Sequence, residues 1–98
     1  MENIILHVYY TGERENLLSF VKEMQEGGLQ AGVKSEDGCG QYDYFFPADG
    51  GDYVVLLENW RDAAALQAHM DQPRMAEIRA LKDKLGLTTR IERYETSD

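Results

Sequence analysis

In residues 3–10 both alternating sets are largely apolar, Ile4, Leu6, Val8 and Tyr10 in one and Ile5, His7 and Tyr9 in the other. That pattern predicts a strand that needs cover on both faces. Thr11-Gly12 breaks the run. Thr11 is the expected N-cap of a following helix, and Glu13 and Glu15 fall where a helix start favours negative charge. Leu17, Leu18, Val21 and Met24 then recur at helical spacing and predict one buried stripe. Gly27-Gly28 interrupts the helix, residues 29–34 resume it as a short second piece, and Ser35-Glu36-Asp37-Gly38 reads as a loop. In residues 41–46, Tyr42, Tyr44 and Phe46 alternate with Gln41, Asp43 and Phe45, giving a second strand whose three aromatics form one core-facing layer.

The turn residues of 47–52 predict a hairpin into a third strand at residues 53–60, an apolar, β-branched run that ends on the single tryptophan, Trp60. Immediately after it, Asp62 suits an N-cap and residues 63–70 are alanine-rich helix. Pro73 opens a further helix in which Met75, Ile78, Leu81 and Leu85 form the apolar stripe, and Gly86 ends it. Residues 87–94 predict a fourth strand, with Thr96-Ser97-Asp98 as a frayed tail. The order is β-α-β-β-α-β, with the second helical connection broken at Pro73. An α+β ferredoxin-like fold is expected, with a four-stranded antiparallel sheet and helices on one face. The first and third strands then leave apolar groups on the opposite face, and a second copy packed sheet on sheet would cover them, so a homodimer is expected.

Ninety-eight residues, 43% of them apolar, fit one domain over residues 1–98 and leave no room for a second core. A formal charge of −8 repels phosphate backbones and anionic membrane surfaces, which argues against a nucleic-acid partner. No run is long and apolar enough to span a bilayer, and Met1-Glu2-Asn3 lacks the basic start of a signal peptide. No membrane association and a cytoplasmic location are expected. Cys39 is the only cysteine, so no intrachain disulfide can form, and with only His7 and His69 beside it a structural zinc site lacks ligands. Lying between two glycines and without a basic neighbour, Cys39 reads as part of a turn entering a strand rather than as a nucleophile.

The third strand delivers Trp60 to the mouth of the helix that carries His69, so the two can border one cavity. Each has two readings. Trp60 is either core or cavity wall on one side, or an indole N–H donor on the other. His69 is either a hydrogen-bonded packing residue or a base near neutral pH. His7 faces either the cavity or the dimer interface. Glu58 shares a strand face with Trp60, and is either paired with Arg61 or Arg90 or held as an acid of raised pKa.

Glu36-Asp37-Gly38-Cys39 followed by an aromatic strand with Tyr42, then Glu58-x-Trp60, Ala65-Leu66-x-x-His69 and Pro73-Arg74-Met75, resemble the antibiotic biosynthesis monooxygenase superfamily, which includes quinol monooxygenases. The resemblance spans roughly residues 4–94 and implies a dimeric α/β barrel with a cavity between sheet and helices, often with a C-terminal strand exchanged across the dimer. It also implies oxidation of quinols or aromatic polyketides by dioxygen without metal, flavin or other cofactor. Relatives that cleave haem carry an iron-ligating histidine in the helix after the tryptophan-bearing strand. The matching stretch here, Arg74-Met75-Ala76-Glu77-Ile78, has none, which disfavours haem chemistry.

Such a reaction needs a base, oxyanion donors and a dry site. His69 or His7 are the candidate bases, Asn59, Tyr42, Tyr44 and the Trp60 indole N–H the candidate substrate-binding donors, and a small quinol or polycyclic phenol the expected ligand. The alternative is a non-catalytic dimeric module of the same fold that binds a small apolar ligand or supports a partner.

Overall fold

The computed structural model describes residues 2–97. The chain runs β1 (Glu2–Thr11), α1 (Arg14–Glu26), α2 (Leu29–Lys34), β2 (Cys39–Phe45), β3 (Tyr53–Trp60), α3 (Ala63–Met70), α4 (Arg74–Lys84) and β4 (Thr88–Ser97). The four strands form one antiparallel sheet in the order β2-β3-β1-β4. This is the expected α+β ferredoxin-like arrangement, with both helical connections broken into two pieces.

Strict alternation divides the sheet into two faces. Ile4, Leu6, Val8 and Tyr10 of β1, Val54, Leu56, Glu58 and Trp60 of β3, and Tyr42 of β2 are buried toward the helices. Leu17, Phe20, Val21 and Met24 of α1, Val33 of α2, Ala65, Leu66 and His69 of α3, and Ile78 of α4 close over them. The other set, Ile5, His7, Tyr9, Val55, Leu57 and Asn59, is only half-buried, because among the described residues of one copy no element covers that face.

Three details differ from the reading of the sequence. Thr11 is the last residue of β1, paired with Tyr53 and Thr88, and α1 starts after Glu13 with no side-chain cap. The α1 stripe is completed by Phe20, fully buried, while Leu18 is 47% exposed. The three-residue step from Leu17 to Phe20 keeps the face, whereas one residue rotates off it. Finally β4 runs on to Ser97, pairing residue by residue with β1 down to Glu2, so Thr96 and Ser97 belong to the ladder; Asp98 lies outside the described residues. The bonds offered by the full length of β1 hold this tail in place.

α4 stops as expected at Gly86, whose φ of 67° allows the Leu87 and Gly86 N–H groups to bond back to the Lys82 and Asp83 carbonyls, both at 3.1 Å. β4 then returns along the far edge of the sheet beyond the cover of the helices. Ile91, on the helix side of β4 opposite Val8, is therefore 57% exposed.

Candidate functional site

β3 ends at Trp60, and two residues later the Asp62 carboxylate accepts the Ala65 N–H at 2.8 Å, starting α3 at once. This tight corner turns α3 back over the sheet so that the His69 ring lies on the indole of Trp60, with centroids 4.5 Å apart and planes 25° apart. His69 is 2% exposed. Its Nδ1 lies 2.9 Å from Oε1 of Glu36, in the loop before β2. The other oxygen of Glu36 accepts from Nη1 of Arg74 at 2.6 Å, and the same nitrogen donates to the Gly32 carbonyl at 2.9 Å.

A carboxylate paired with an arginine can only accept, so the His69 proton resides on Nδ1 and Nε2 keeps a free lone pair. Burial depresses the His69 pKa, opposed by the bond to Glu36 and assisted by the nearby Arg74 charge. The ring is thus neutral at pH 7, oriented, and basic at Nε2.

Four ångströms from Nε2 lies Oε1 of Glu58. Glu58 is 6% exposed and accepts the Trp60 Nε1–H at 2.9 Å. Arg61 is bound instead to Asp37 and Arg90 to Glu92, and among the described residues no arginine or lysine forms an ion pair with Glu58. Burial therefore pushes its pKa up to about 7; the Trp60 bond restrains the rise and the Glu36 charge adds to it. Of the two readings of Glu58, the acid of raised pKa holds. The carboxyl lies 4.0 Å from the His69 imidazole.

Both groups border a cavity of about 180 Å³ between the sheet and α3–α4. Leu6, Val8 and Tyr10 form its floor with Tyr42, and Met70, Met75 and Ile78 form its wall. Burial raises the pKa of Tyr10 and of Tyr42, so both hydroxyls are neutral donors. A second, more polar recess of about 280 Å³ is lined by Glu36, Asp37, Arg61 and Gln72 together with residues of α3, among them His69 again. His69 thus connects the apolar cavity to a recess open to solvent. Of the two, the inner cavity combines His69 with apolar walls, the setting in which a base is shielded from water.

The structure brings together only part of the set drawn from the sequence. His69 and Tyr42 line the inner cavity. Trp60 is fully buried behind His69, and its indole N–H is taken by Glu58, so it supports the two titratable groups and offers no donor to a ligand. Tyr44 is on the same face but outside the cavity lining and only partly buried, edge-on to Phe20 and Tyr42, with its hydroxyl enclosed and without a hydrogen-bond partner among the described residues. His7 and Asn59 lie on the opposite face of the sheet. The His7 ring packs 5.0 Å from Tyr94, with Nδ1 3.7 Å from Glu92, and Asn59 sits between Ile5 and Gln41. Neither can reach the cavity of its own protomer, since one residue along a strand reverses the side-chain direction.

Three partners were missing from the candidate set: Glu36, Arg74 and Tyr10. Glu36 and Arg74 stand in the stretches that carry the family resemblance, and that was their only signal, since they are 33 residues before and five after His69. Gly38 fixes the loop that holds Glu36. Its φ is +88°, a Cβ there would lie 2.5 Å from that of Ala65, and its carbonyl accepts the Arg61 N–H at 2.8 Å. Cys39 begins β2 with its thiol directed at the Gln41 carbonyl at 3.6 Å, and burial together with Glu36 and Glu58 pushes the thiol pKa up, away from nucleophilic character. Among the described residues no group of three His, Cys, Asp or Glu side chains is placed to hold a metal ion, and no helix is long and apolar enough to cross a membrane.

The fold is thus a ferredoxin-like sheet whose helices enclose an oriented imidazole and a carboxyl of raised pKa beside an apolar cavity. The family model described as antibiotic biosynthesis monooxygenase matches residues 3–81, and the chain belongs to that family. It is 43% identical over 48 residues to "Putative monooxygenase Rv0793" of Mycobacterium tuberculosis, a match covering 49% of this chain and 46% of that protein. It is 33% identical over 66 residues to "Putative monooxygenase YcnE" of Bacillus subtilis, 67% of each chain. Among solved structures, an antibiotic biosynthesis monooxygenase-type protein from Deinococcus radiodurans superposes with a TM-score of 0.84 over 97% of this chain and 93% of its own, at 19% identity. SnoaB, a cofactor-independent oxygenase from Streptomyces nogalater, superposes with a TM-score of 0.71 over 100% and 94%, at 14% identity. At these identities the two structures speak for the fold alone.

Proposed function

We propose that the protein is a cofactor-independent monooxygenase that oxidises a small quinol with dioxygen, with His69 as the base and Glu58 as the acid. The observation that carries this reading is the pairing of a neutral imidazole, oriented by Glu36 and Arg74, with a carboxyl of pKa about 7 at the edge of one apolar cavity. The family and the names of the two curated relatives support the reaction class. The cavity size supports the narrower choice within it, because about 180 Å³ is of the order that accepts one benzenoid ring (~150 Å³ for benzene).

In this reading His69 Nε2 takes the proton of a quinol hydroxyl, and the resulting anion is electron-rich enough to give an electron to dioxygen. Recombination at a ring carbon forms a C–O bond to the proximal oxygen of a peroxide, and His69 returns its proton to the distal oxygen. Glu58 then protonates the departing hydroxide as the O–O bond breaks, and the proton that leaves the same ring carbon as its carbonyl forms restores Glu58. For the parent compound the balance is hydroquinone plus dioxygen giving hydroxybenzoquinone plus water: the ring loses four electrons, and dioxygen gains four. Tyr10 and Tyr42 donate to the phenolate oxygen, and the apolar wall keeps out the water that would weaken each of these contacts.

The test is oxygen uptake over a panel of single-ring hydroquinones, corrected for their spontaneous oxidation in air, with ¹⁸O₂ to show one label in the product. His69→Ala is expected to lower the rate about a hundredfold or more. No rate above background, or a fully active His69→Ala, would overturn the proposal. The second reading, a non-catalytic ligand-binding module, is favoured by how completely His69 is enclosed, and would then take its place.

A further inference from the structure

The cavity has an apolar floor and a cationic rim. Arg79 and Lys82 of α4 line it, on the same side of the helix as Met75 and Ile78, with Thr89 and Ile91 of β4 across from them. Most cations in this acidic chain have a carboxylate within 4 Å: Lys22, Lys34, Arg61, Arg74, Arg90 and Arg93 are all paired. Among the described residues Arg14, Arg79, Lys82 and Lys84 are the ones without such a partner. Two of those four stand at this one cavity, and the only carboxyl in its lining is Glu58, at the inner end beside His69. In a molecule of net charge −8, an anionic ligand is repelled from most of the surface. Two unpaired cations at the cavity would supply the local attraction that it needs.

We propose that the ligand of this cavity is a single aromatic ring bearing an anionic substituent, a carboxylate or a phosphate, which Arg79 and Lys82 receive while the ring lies on Leu6 and Val8 beside His69. The inference rests on the reading that the cavity beside His69 is the ligand site, and adds the charge of what it binds. The plainer account of Arg79 and Lys82 is a solvated helix face, and it makes the opposite prediction, namely indifference to the charge of the ring.

The test uses two probes of equal shape, 3-hydroxybenzoate and 3-hydroxybenzamide, with phenyl phosphate as a second anion, and titration calorimetry on the wild type and the Arg79→Gln/Lys82→Gln double variant. The acid is expected to bind the wild type at least tenfold more tightly than the amide, and less so as salt is added. In the double variant, whose fold is checked by circular dichroism, that ratio should fall toward one while the amide's affinity stays the same. Tighter binding of phenyl phosphate than of the benzoate would uphold the proposal with phosphate as the anion. Equal affinities for acid and amide, a preference that survives in the double variant, or no binding of any probe would overturn it. Binding needs neither dioxygen nor turnover, so the outcome is separable from that of the proposed oxidation. A protein inert toward quinols can still prefer the acid, and an active one can be blind to charge.

Discussion

Replacing Glu58 by glutamine tests the electrostatics of the site without any substrate. Glutamine keeps a carbonyl oxygen for the Trp60 N–H and similar volume, but cannot ionise. An unfolded chain releases the Glu58 proton near its ordinary value of 4.5, and the folded one near 7. Between these values the unfolded state binds fewer protons, so the stability that Glu58 contributes falls as pH rises and is fully lost above the folded value. At 1.36 kcal/mol per pH unit, raising the carboxyl from 4.5 to about 7 amounts to about 3 kcal/mol. His69 acts in the opposite direction. Its depressed folded value contributes stability that is present above 6.5 and lost as pH falls, so a pH curve of the wild type alone would mix the two. The difference between Glu58→Gln and wild type isolates the carboxyl. Relative to wild type the variant should gain about 3 kcal/mol between pH ~4 and pH ~8, or roughly 12–24 °C in Tm for a domain of this size. Urea titrations at fixed protein concentration, which holds any association constant, measure it. A difference that stays flat with pH, or that falls, would refute the claim that Glu58 is buried without a counter-charge.

Glu36→Gln removes the acceptor that sets the His69 tautomer and leaves Arg74 unpaired. Oxidation of any quinol substrate should fall about tenfold or more, with the limb of the rate–pH profile that reports His69 moving to lower pH because the Glu36 bond raises its pKa. Gly38→Ala should cost at least about 2 kcal/mol in a thermal or urea melt, from the φ of +88° and the 2.5 Å approach to Ala65. Asp62→Ala should cost about 1 kcal/mol through loss of the α3 cap. We further propose that the half-buried face of Ile5, His7, Tyr9, Val55 and Leu57 is covered by a second copy. Light scattering at micromolar concentration should then give twice the chain mass, and a stable monomer would refute it.

The order of elements was legible because each depends on local rules. Apolar, β-branched runs marked β1 and β3, alternating aromatics marked β2, Asp62 and Pro73 marked helix starts, and Gly86 marked a stop; these signals act over a few residues and do not depend on the rest of the fold. The family could be recognised for a related reason, since its motifs are short and keep their order. For the C-terminal residues and for Glu58, a contact distant in sequence decided. Thr96 and Ser97 look like a tail until the ladder with residues 2 and 3 at the other end of the chain is formed. The choice between the two readings of Glu58 depended on whether Arg61 and Arg90 reach it, and both are engaged elsewhere.

The same holds for the site. The sequence alone determined that Trp60 would stand at a strand end next to the helix of His69, because strand, cap and helix are contiguous. Only the tertiary structure decided what those residues do. It takes up the indole N–H with Glu58, brings Glu36 across 33 residues to fix the imidazole, and puts His7 and Asn59 on the far side of the sheet. Local propensity is a property of neighbours along the chain. The proton affinity of a buried carboxyl or imidazole is a property of neighbours in space, set by which charges approach and how much water is removed.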